Sequence, residues 1–425
     1  MTDRADLVVV GAGPAGSATA YWAARYGLDV LLLDRQEFPR DKTCGDGLLP
    51  HARMELARMG LDDWLEEPHH GRFDGFSIYT RNSLISSTGP PSFNGKIGYI
   101  VRRQETDGRL VERARATGVE FRPGVKAQRA ARAPDGAVTG VEATSSDDSV
   151  HYEAPLIVVA DGVGGFEGDG IKVAQSGVAR RQYFKNSSGS HQNHVHFWLT
   201  TDLTRFGSAY GWLFYFGDGV ANAGVAIYKP ALEKERSYSG RNLNDLMDAF
   251  LKEPEVAGRL GEPEGPAKSW SLKMGMAGKR RHGQGLLLVG DAGSMIHPLS
   301  GEGVGYALES GRLAAAWAHE AHNRKDFSSS LLAGYDRQLA RLRGREHKPG
   351  FAVAQLNNRF ADARLIDHLF EACEQDPEAQ QALARAFYGE GSVYELLGHQ
   401  RALATTIAAS ARSRFGRNSP NGHRP

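Results

Sequence analysis

Apolar runs without polar alternation open this chain. Leu7 to Val10 is followed, after a glycine turn, by a helical pattern from Pro14 to Tyr26 and by a second run from Asp29 to Leu33. Short continuous apolar runs bounded by turn residues predict strands covered on both faces, the condition of a parallel sheet with helices between its strands. Thr106 to Gly118 predicts a charged helix before a strand at Val119 to Arg122. Gly140 to Ala160 predicts two strands around an Asp-rich turn, the second leading into Ala160-Asp161-Gly162-Val163-Gly164. From about residue 190 to 230 the period becomes two. Val195, Phe197 and Leu199 then share one face, and His194, His196, Trp198 and Thr200 the other, as in an antiparallel sheet. Trp212 to Phe216 and Val220 to Ile227 flank Gly217-Asp218-Gly219, a hairpin connection. Gly285 to Val289 is one more short apolar strand, Glu302 to Ala316 a helix, and beyond residue 305 helical patterns prevail. The basic stretch Arg337 to Lys348 predicts a solvated helix face, and Ser410 to Pro425 a disordered tail.

Two of these strand ends carry chemistry. In Val10-Gly11-Ala12-Gly13-Pro14-Ala15-Gly16, Gly11 permits a tight turn, Gly13 lets backbone approach phosphate oxygens, and Gly16 lets the helix pack on the strand. The helix N-terminus then points at an anion, and Asp34, at the end of the second strand, stands where a carboxylate meets unphosphorylated ribose hydroxyls. Asp291 in Gly290-Asp291-Ala292 is placed to accept from a polyol. Gly301, Gly303 and Gly305 open the backbone at the next helix N-terminus, which favours an electron-rich ring. One signature holds a pyrophosphate and the other the far end of a long dinucleotide, so together they predict FAD. The fold expected is α/β: a Rossmann-like FAD-binding module interleaved with an antiparallel-sheet substrate module and a helical C-terminal region. The boundaries read 1–180 and 276–330 for the two parts of the FAD module, 181–275 for the substrate module, 331–409 for the helical region and 410–425 for the tail.

A formal net charge of +1 gives no bulk attraction to nucleic acid. Two distant cysteines, Cys44 and Cys373, exclude a disulfide scaffold and fit a reducing cytoplasm. No apolar run approaches the roughly 18 residues of a membrane helix, so any membrane contact is peripheral. His194 and His196 have no third ligand nearby, and no metal site is expected.

The string Phe38-Pro39-Arg40-Asp41-Lys42-Thr43-Cys44-Gly45-Asp46-Gly47-Leu48 resembles the geranylgeranyl reductase family of flavoproteins, which share their cofactor fold with para-hydroxybenzoate hydroxylase. The likeness continues through Arg103-Gln104-Glu105-Thr106-Asp107, Tyr210-Gly211-Trp212-Leu213-Phe214 and Pro298-Leu299-Ser300-Gly301-Glu302-Gly303, and covers residues 5 to about 320. It implies Ala15 and Asp34 at the AMP half, Arg103 and Ala127 along the cofactor, and Cys44 and Gly45 near the flavin. Asp291, Gly303 and Val304 then fall at the ribityl and ring end. Cys44 and His297 are the candidates for catalytic groups, each with an alternative as a loop residue. Members that saturate polyprenyl chains carry Pro-x-x-Tyr-x-Trp-x-Phe-Pro; here the first proline is absent and Tyr215 replaces the last. Tyr210, Trp212 and Tyr215 are therefore expected to wall a substrate pocket of altered shape, which the Tyr215 hydroxyl would bias toward a rigid polycyclic substrate.

The implied activity is reduction of a C=C bond in an apolar isoprenoid or polycyclic molecule, with NAD(P)H as a transient electron donor or a ferredoxin-like external donor. A monooxygenase or halogenase needs the same fold, and a non-redox cyclase or binding scaffold that merely retains flavin is a third reading.

Overall fold

The computed structural model describes residues 4–387 apart from 81–82, 89–97, 147, 167–175, 200–202, 204–208, 277–279, 299, 361–370 and 375. The chain divides into two compact units, one of residues 1–70, 98–177 and 270–348, the other of 71–97, 178–269 and 349–425. These boundaries differ from those expected from sequence. Residues 71–97 join the second unit because Gly75–Tyr79 and Leu84–Thr88 are strands of its sheet, which no pattern in that stretch had announced. Residues 331–348 join the first.

The first unit is built on a six-stranded sheet in the order His282–Gly283, Leu286–Leu288, Leu156–Val159, Leu7–Val10, Val30–Leu33, Glu120–Arg122. Its neighbours pair in parallel except for the His282–Gly283 edge. The apolar runs occupy the centre, fully buried. One face carries a three-stranded antiparallel sheet, Val125–Arg132, Val138–Ser145 and Asp148–Glu153, whose Val125, Val141 and Tyr152 pack on Val8, Leu31 and Ile157. The Gly140 to Ala160 stretch is thus three strands. Two form a hairpin, and the third, Leu156–Val159, crosses into the parallel sheet. Helices Pro14–Arg25 and Val304–Arg324 pack closely on each other. A Cβ on Gly311 would overlap the Ala15 carbonyl and lie 3.0 Å from the Thr19 amide nitrogen, so only glycine permits the crossing.

The second unit is a seven-stranded sheet in the order Glu262–Leu272, Gly177–Lys185, Ala221–Tyr228, Ala209–Tyr215, His194–Trp198, Gly75–Tyr79, Leu84–Thr88. The hairpin at Gly217-Asp218-Gly219 is found, with Gly219 at φ +77° and the Asp218 carboxylate accepting from Val220 N–H. The sheet is not wholly antiparallel, because His194–Trp198 runs parallel to Gly75–Tyr79. Helix Leu243–Leu251, started by a capping box between Asn242 and Asp245, presses Met247 and Phe250 onto one sheet face. The C-terminal region includes helices Ser329–Phe360 and Pro377–Phe387. The expected tail, 410–425, lies outside the described residues.

Candidate functional site

At the centre of the parallel sheet the strand order reverses. Leu7–Val10 has Val30–Leu33 on one side and Leu156–Val159 on the other, the switch point at which open α/β sheets bind ligands. Gly11, at φ +101°, could carry no side chain, because a Cβ would lie 2.5 Å from the Ala160 carbonyl oxygen. A Cβ on Gly16 would overlap the Gly11 carbonyl. Gly13 caps the helix and is open except for the Arg40 guanidinium, 3.7 Å from where its Cβ would be. An open helix N-terminus faced by a cation fits a pyrophosphate.

Asp34 accepts from the Ala12 N–H at 2.8 Å and from the Gln36 N–H at 2.9 Å, and its own carbonyl accepts from Val125 N–H, two residues before Ala127. Arg40 stands 3.9 Å from Asp34 and donates to Asp107 at 2.9 Å. Arg103 grips Asp107 with two bonds of 2.7 and 2.9 Å, and the sulfur of Cys44, which Gly45 follows, is among the groups facing Arg103. Burial opposes ionisation of both partners. For Asp107, the charges of Arg103 and Arg40 overcome it and hold the carboxyl below its ordinary range; for Arg103, Asp107 and Cys44 raise the guanidinium pKa. A line of alternating charge therefore runs from the glycine loop through Arg40 and Asp107 to Arg103, with Cys44 beside its end.

The second signature meets the first. Gly290, at φ +56°, lies so close to Ala15 that a Cβ would sit 2.8 Å from its side chain, and the Gly290 N–H donates to Ser310 Oγ at 3.0 Å. Asp291 pairs with Lys42 at 3.5 Å, and its carboxylate lies 3.8 Å from where a Cβ on Gly303 would be. Gly303 is the N-cap of helix Val304–Arg324, with Val304 its first residue. The structure thus gathers Gly11, Gly13, Ala15, Gly16, Asp34, Cys44, Arg103, Asp291, Gly303 and Val304 in one unit, with Ala127 on the neighbouring antiparallel strand. Sequence reasoning did not single out Arg40, Lys42 or Asp107; basic residues two apart just after the acidic strand end were the available signal for the first two.

Behind this loop lies a buried polar array of which sequence reasoning singled out His297 alone. His51, Glu55, Glu302, Glu309, His297 and His347 are all buried. Arg343 donates to Glu309 at 2.7 and 2.9 Å and to His51 Nε2 at 3.2 Å, while His51 Nδ1 faces Glu302 at 3.8 Å. The stretch Arg337 to Lys348 is accordingly not a wholly solvated face. Its Arg343 and His347 turn inward because Glu309 and Tyr306 of the neighbouring helix receive them. Burial, then Arg343, lowers the His297 pKa to about 4, and His51 falls to about 4 by burial and Arg343 despite Glu309. His297 Nδ1 receives the Ser300 N–H at 3.2 Å, and its ring stacks on Tyr306.

The expected substrate wall is divided. Tyr210 and Trp212 share a face with Phe197 and Phe214, and the Trp212 indole donates to Asn222 at 3.0 Å. Tyr215 is on the opposite face, in a core with Leu213, Met247 and Phe250, its hydroxyl buried against Gly189 and Arg259. Strand alternation requires this, since 212 and 215 differ by an odd number. His194 hydrogen-bonds to Ser77 and His196 to the His191 carbonyl.

A switch-point glycine loop, an acidic second-strand end and a second Gly-Asp loop seated on the first helix define an FAD-dependent oxidoreductase. The sequence matches the FAD binding domain family over residues 4–343. It is 36% identical to menaquinone reductase of Mycolicibacterium smegmatis over 84% of each chain. It is 31% identical to digeranylgeranylglycerophospholipid reductase 1 of Methanopyrus kandleri over 78% of this chain and 84% of the other. The fold matches a geranylgeranyl bacteriochlorophyll reductase-like protein of Thermoplasma acidophilum with TM-score 0.76 at 22% identity, covering 95% of this chain and 96% of that one. The chain belongs to the geranylgeranyl reductase family of FAD-dependent oxidoreductases.

Proposed function

We propose that this protein saturates carbon–carbon double bonds of an isoprenoid chain, such as that of a menaquinone. The observation that carries this reading is the meeting of the two glycine signatures at Ala15 and Gly290, supported by the likeness to menaquinone reductase. Gly11, Gly13, Ala15 and Gly16 cradle the FAD pyrophosphate with Arg40 facing it, and Asp34 offers its remaining lone pairs to the adenosine ribose. Arg103 and Ala127 lie along the cofactor, and Cys44 and Gly45 near its ring. Asp291, balanced by Lys42, takes the ribityl hydroxyls, and the N–H groups of Gly303 and Val304 stabilise negative charge on the ring. Reduced FAD supplies the hydride for one alkene carbon. Cys44, facing Arg103, holds the proton for the other. His297 fastens its loop, since its Nδ1 already accepts from Ser300 and burial keeps the ring neutral.

Tyr210 and Trp212 remain the substrate-facing pair. With Tyr215 in the core, the reason for favouring a rigid polycyclic substrate is gone, and Tyr215→Phe is expected to leave the ranking of polyprenyl and polycyclic substrates unchanged. A reversal of that ranking in steady-state turnover would return Tyr215 to the pocket. The electron donor is NAD(P)H, bound transiently because the chain carries no second complete nucleotide fingerprint. The protein works in the cytoplasm, touching the membrane peripherally to reach an apolar substrate; among the described residues no helix is long and apolar enough to cross a membrane.

Anaerobic incubation of the reduced protein with menaquinone and with digeranylgeranyl lipids, followed by mass spectrometry, is expected to show a gain of two hydrogens per double bond. An oxygenated or halogenated product formed on admitting air would instead assign the monooxygenase or halogenase reading. Asp291→Ala is expected to weaken FAD binding about 10–100-fold, the worth of a hydrogen bond to a charged group, without changing the melting temperature of the apoprotein by more than a few degrees. Equal FAD affinity of variant and parent in equilibrium dialysis would remove Asp291 from the cofactor site.

A further inference from the structure

Among the described residues of the first unit, two clusters of histidine and carboxylate bring donor atoms together, and their arginine neighbours distinguish them. At His51, Glu55 and Glu309 the donor atoms converge, but arginine has taken them. Glu55 accepts from Arg312 at 2.8 and 3.0 Å and from Arg58, and Glu309 accepts two bonds from Arg343. No cation is needed there. The second cluster, Glu67, His69, His70 and Glu105, offers four donor atoms within 4.8 Å of one another. Its nearest arginine, Arg109, is 3.8 Å from Glu67 and divides itself with Glu112 at 3.5 Å.

The turn after the short 3₁₀ helix Asp63–Glu66 presents Glu67, His69 and His70, and the first turn of helix Arg103–Arg115 presents Glu105. His70 Nε2 lies 2.8 Å from Glu105 Oε1, His69 Nε2 lies 3.1 Å from Glu105 Oε2, and His69 Nδ1 lies 3.7 Å from Glu67 Oε2. His70 Nδ1 donates to the Leu65 carbonyl at 3.2 Å, which orients the ring, and Nε2 donates to Glu105, so a metal ion would take the place of the Nε2 proton. The Trp64 indole N–H donates to Glu105 Oε1 at 3.1 Å and orients the carboxylate. Taken one atom per residue, the four donors lie within 4.8 Å of one another, so a small contraction brings them to the about 3.4 Å that separates the ligands of a tetrahedral zinc ion.

We propose that Glu67, His69, His70 and Glu105 bind a divalent transition-metal ion of the zinc class. Two imidazoles with two carboxylates suit zinc and exclude the all-oxygen preference of magnesium and calcium. The ion ties the 63–70 turn to the helix that carries Arg103 and Asp107, and so clamps the charged line beside the glycine loop.

The test uses the full-length protein stripped by a chelator and titrated with zinc chloride against a chromophoric zinc indicator, with magnesium chloride in parallel. One zinc per chain at micromolar or tighter affinity is expected, with a rise in melting temperature and no response to magnesium. His69→Ala removes a half-exposed ligand and leaves the core untouched, so it is expected to keep the metal-free melting temperature while weakening zinc binding at least about tenfold. Glu105→Gln is expected to do the same to zinc binding. No stoichiometric binding at about a hundred micromolar, or equal binding by the parent and His69→Ala, would mean that the cluster is an ordinary ion-pair network and would overturn the assignment.

Discussion

Arg103→Ala is expected to lose about 3–5 kcal/mol of stability in urea unfolding and to be purified without FAD. Asp107 is fully buried, and its carboxylate accepts two bonds from Arg103 and one from Arg40. Truncating the guanidinium leaves a buried carboxylate with its bond from Arg40 and the more distant charge of Lys42. Arg40 is then drawn from Gly13 and Asp34 toward Asp107, which removes the cation from the open side of the glycine loop. Since whole domains are stable by only about 5–15 kcal/mol, the variant should be marginal at room temperature. Arg103→Lys keeps the charge but not the fork and should fall between. The double variant Arg103→Met/Asp107→Leu buries no unpaired charge and should be more stable than Arg103→Ala; if both unfold at the same urea concentration, the pair is not what Arg103 contributes.

Acidification is expected to destabilise the first unit well before the carboxylates titrate as a class. His51 and His297 have an unfolded pKa of 6.5 and a folded pKa of about 4, lowered by burial and by Arg343. Between these values the unfolded chain binds more protons than the folded one. The stability is complete above pH 6.5 and drains away as the pH falls toward 4. Either ring contributes about 3 kcal/mol at the limit, and the two are less than additive because both pack on Tyr306 and feel Arg343. His347 moves in the same direction. Urea midpoints measured at pH 7.5, 6 and 5 should therefore decline, and His51→Gln should flatten the decline. A parent midpoint constant from pH 7.5 to 5 would show that these rings are not buried neutral.

What could be foreseen was local. Gly11, Gly16 and Asp34 announce themselves because a strand, a tight turn and a helix start fit within thirty residues: Gly11 supplies the positive φ of the turn, Gly16 the close approach to the Gly11 carbonyl, and Asp34 the acceptor for Ala12 N–H. Arg103 and Asp107 are an i,i+4 pair within one helix, but the burial of the pair and its link to Arg40, 67 residues away, could not be read, because none of these residue types declares burial. The basic stretch containing Arg343 and His347 looks solvated in composition, and only the opposing Glu309 and Tyr306 reveal otherwise. Tyr215 is a different case. The alternation that sets it opposite Trp212 was in the sequence, and the family motif, read as a string of pocket residues, obscured it.

The glycine-permitted crossing of Pro14–Arg25 over Val304–Arg324 has a consequence for the ribosome. The central strand Leu7–Val10 gains one neighbour almost at once, but the other, Leu156–Val159, emerges much later, and the helix that covers Ala15 and Thr19 comes last. At roughly 5–20 residues per second, the apolar N-terminal segment waits on the order of 15–60 s with its alanine-rich helix uncovered. A nascent chain of this protein is thus an early client for a holding chaperone, and FAD can find its complete cradle only after helix Val304–Arg324 has been made.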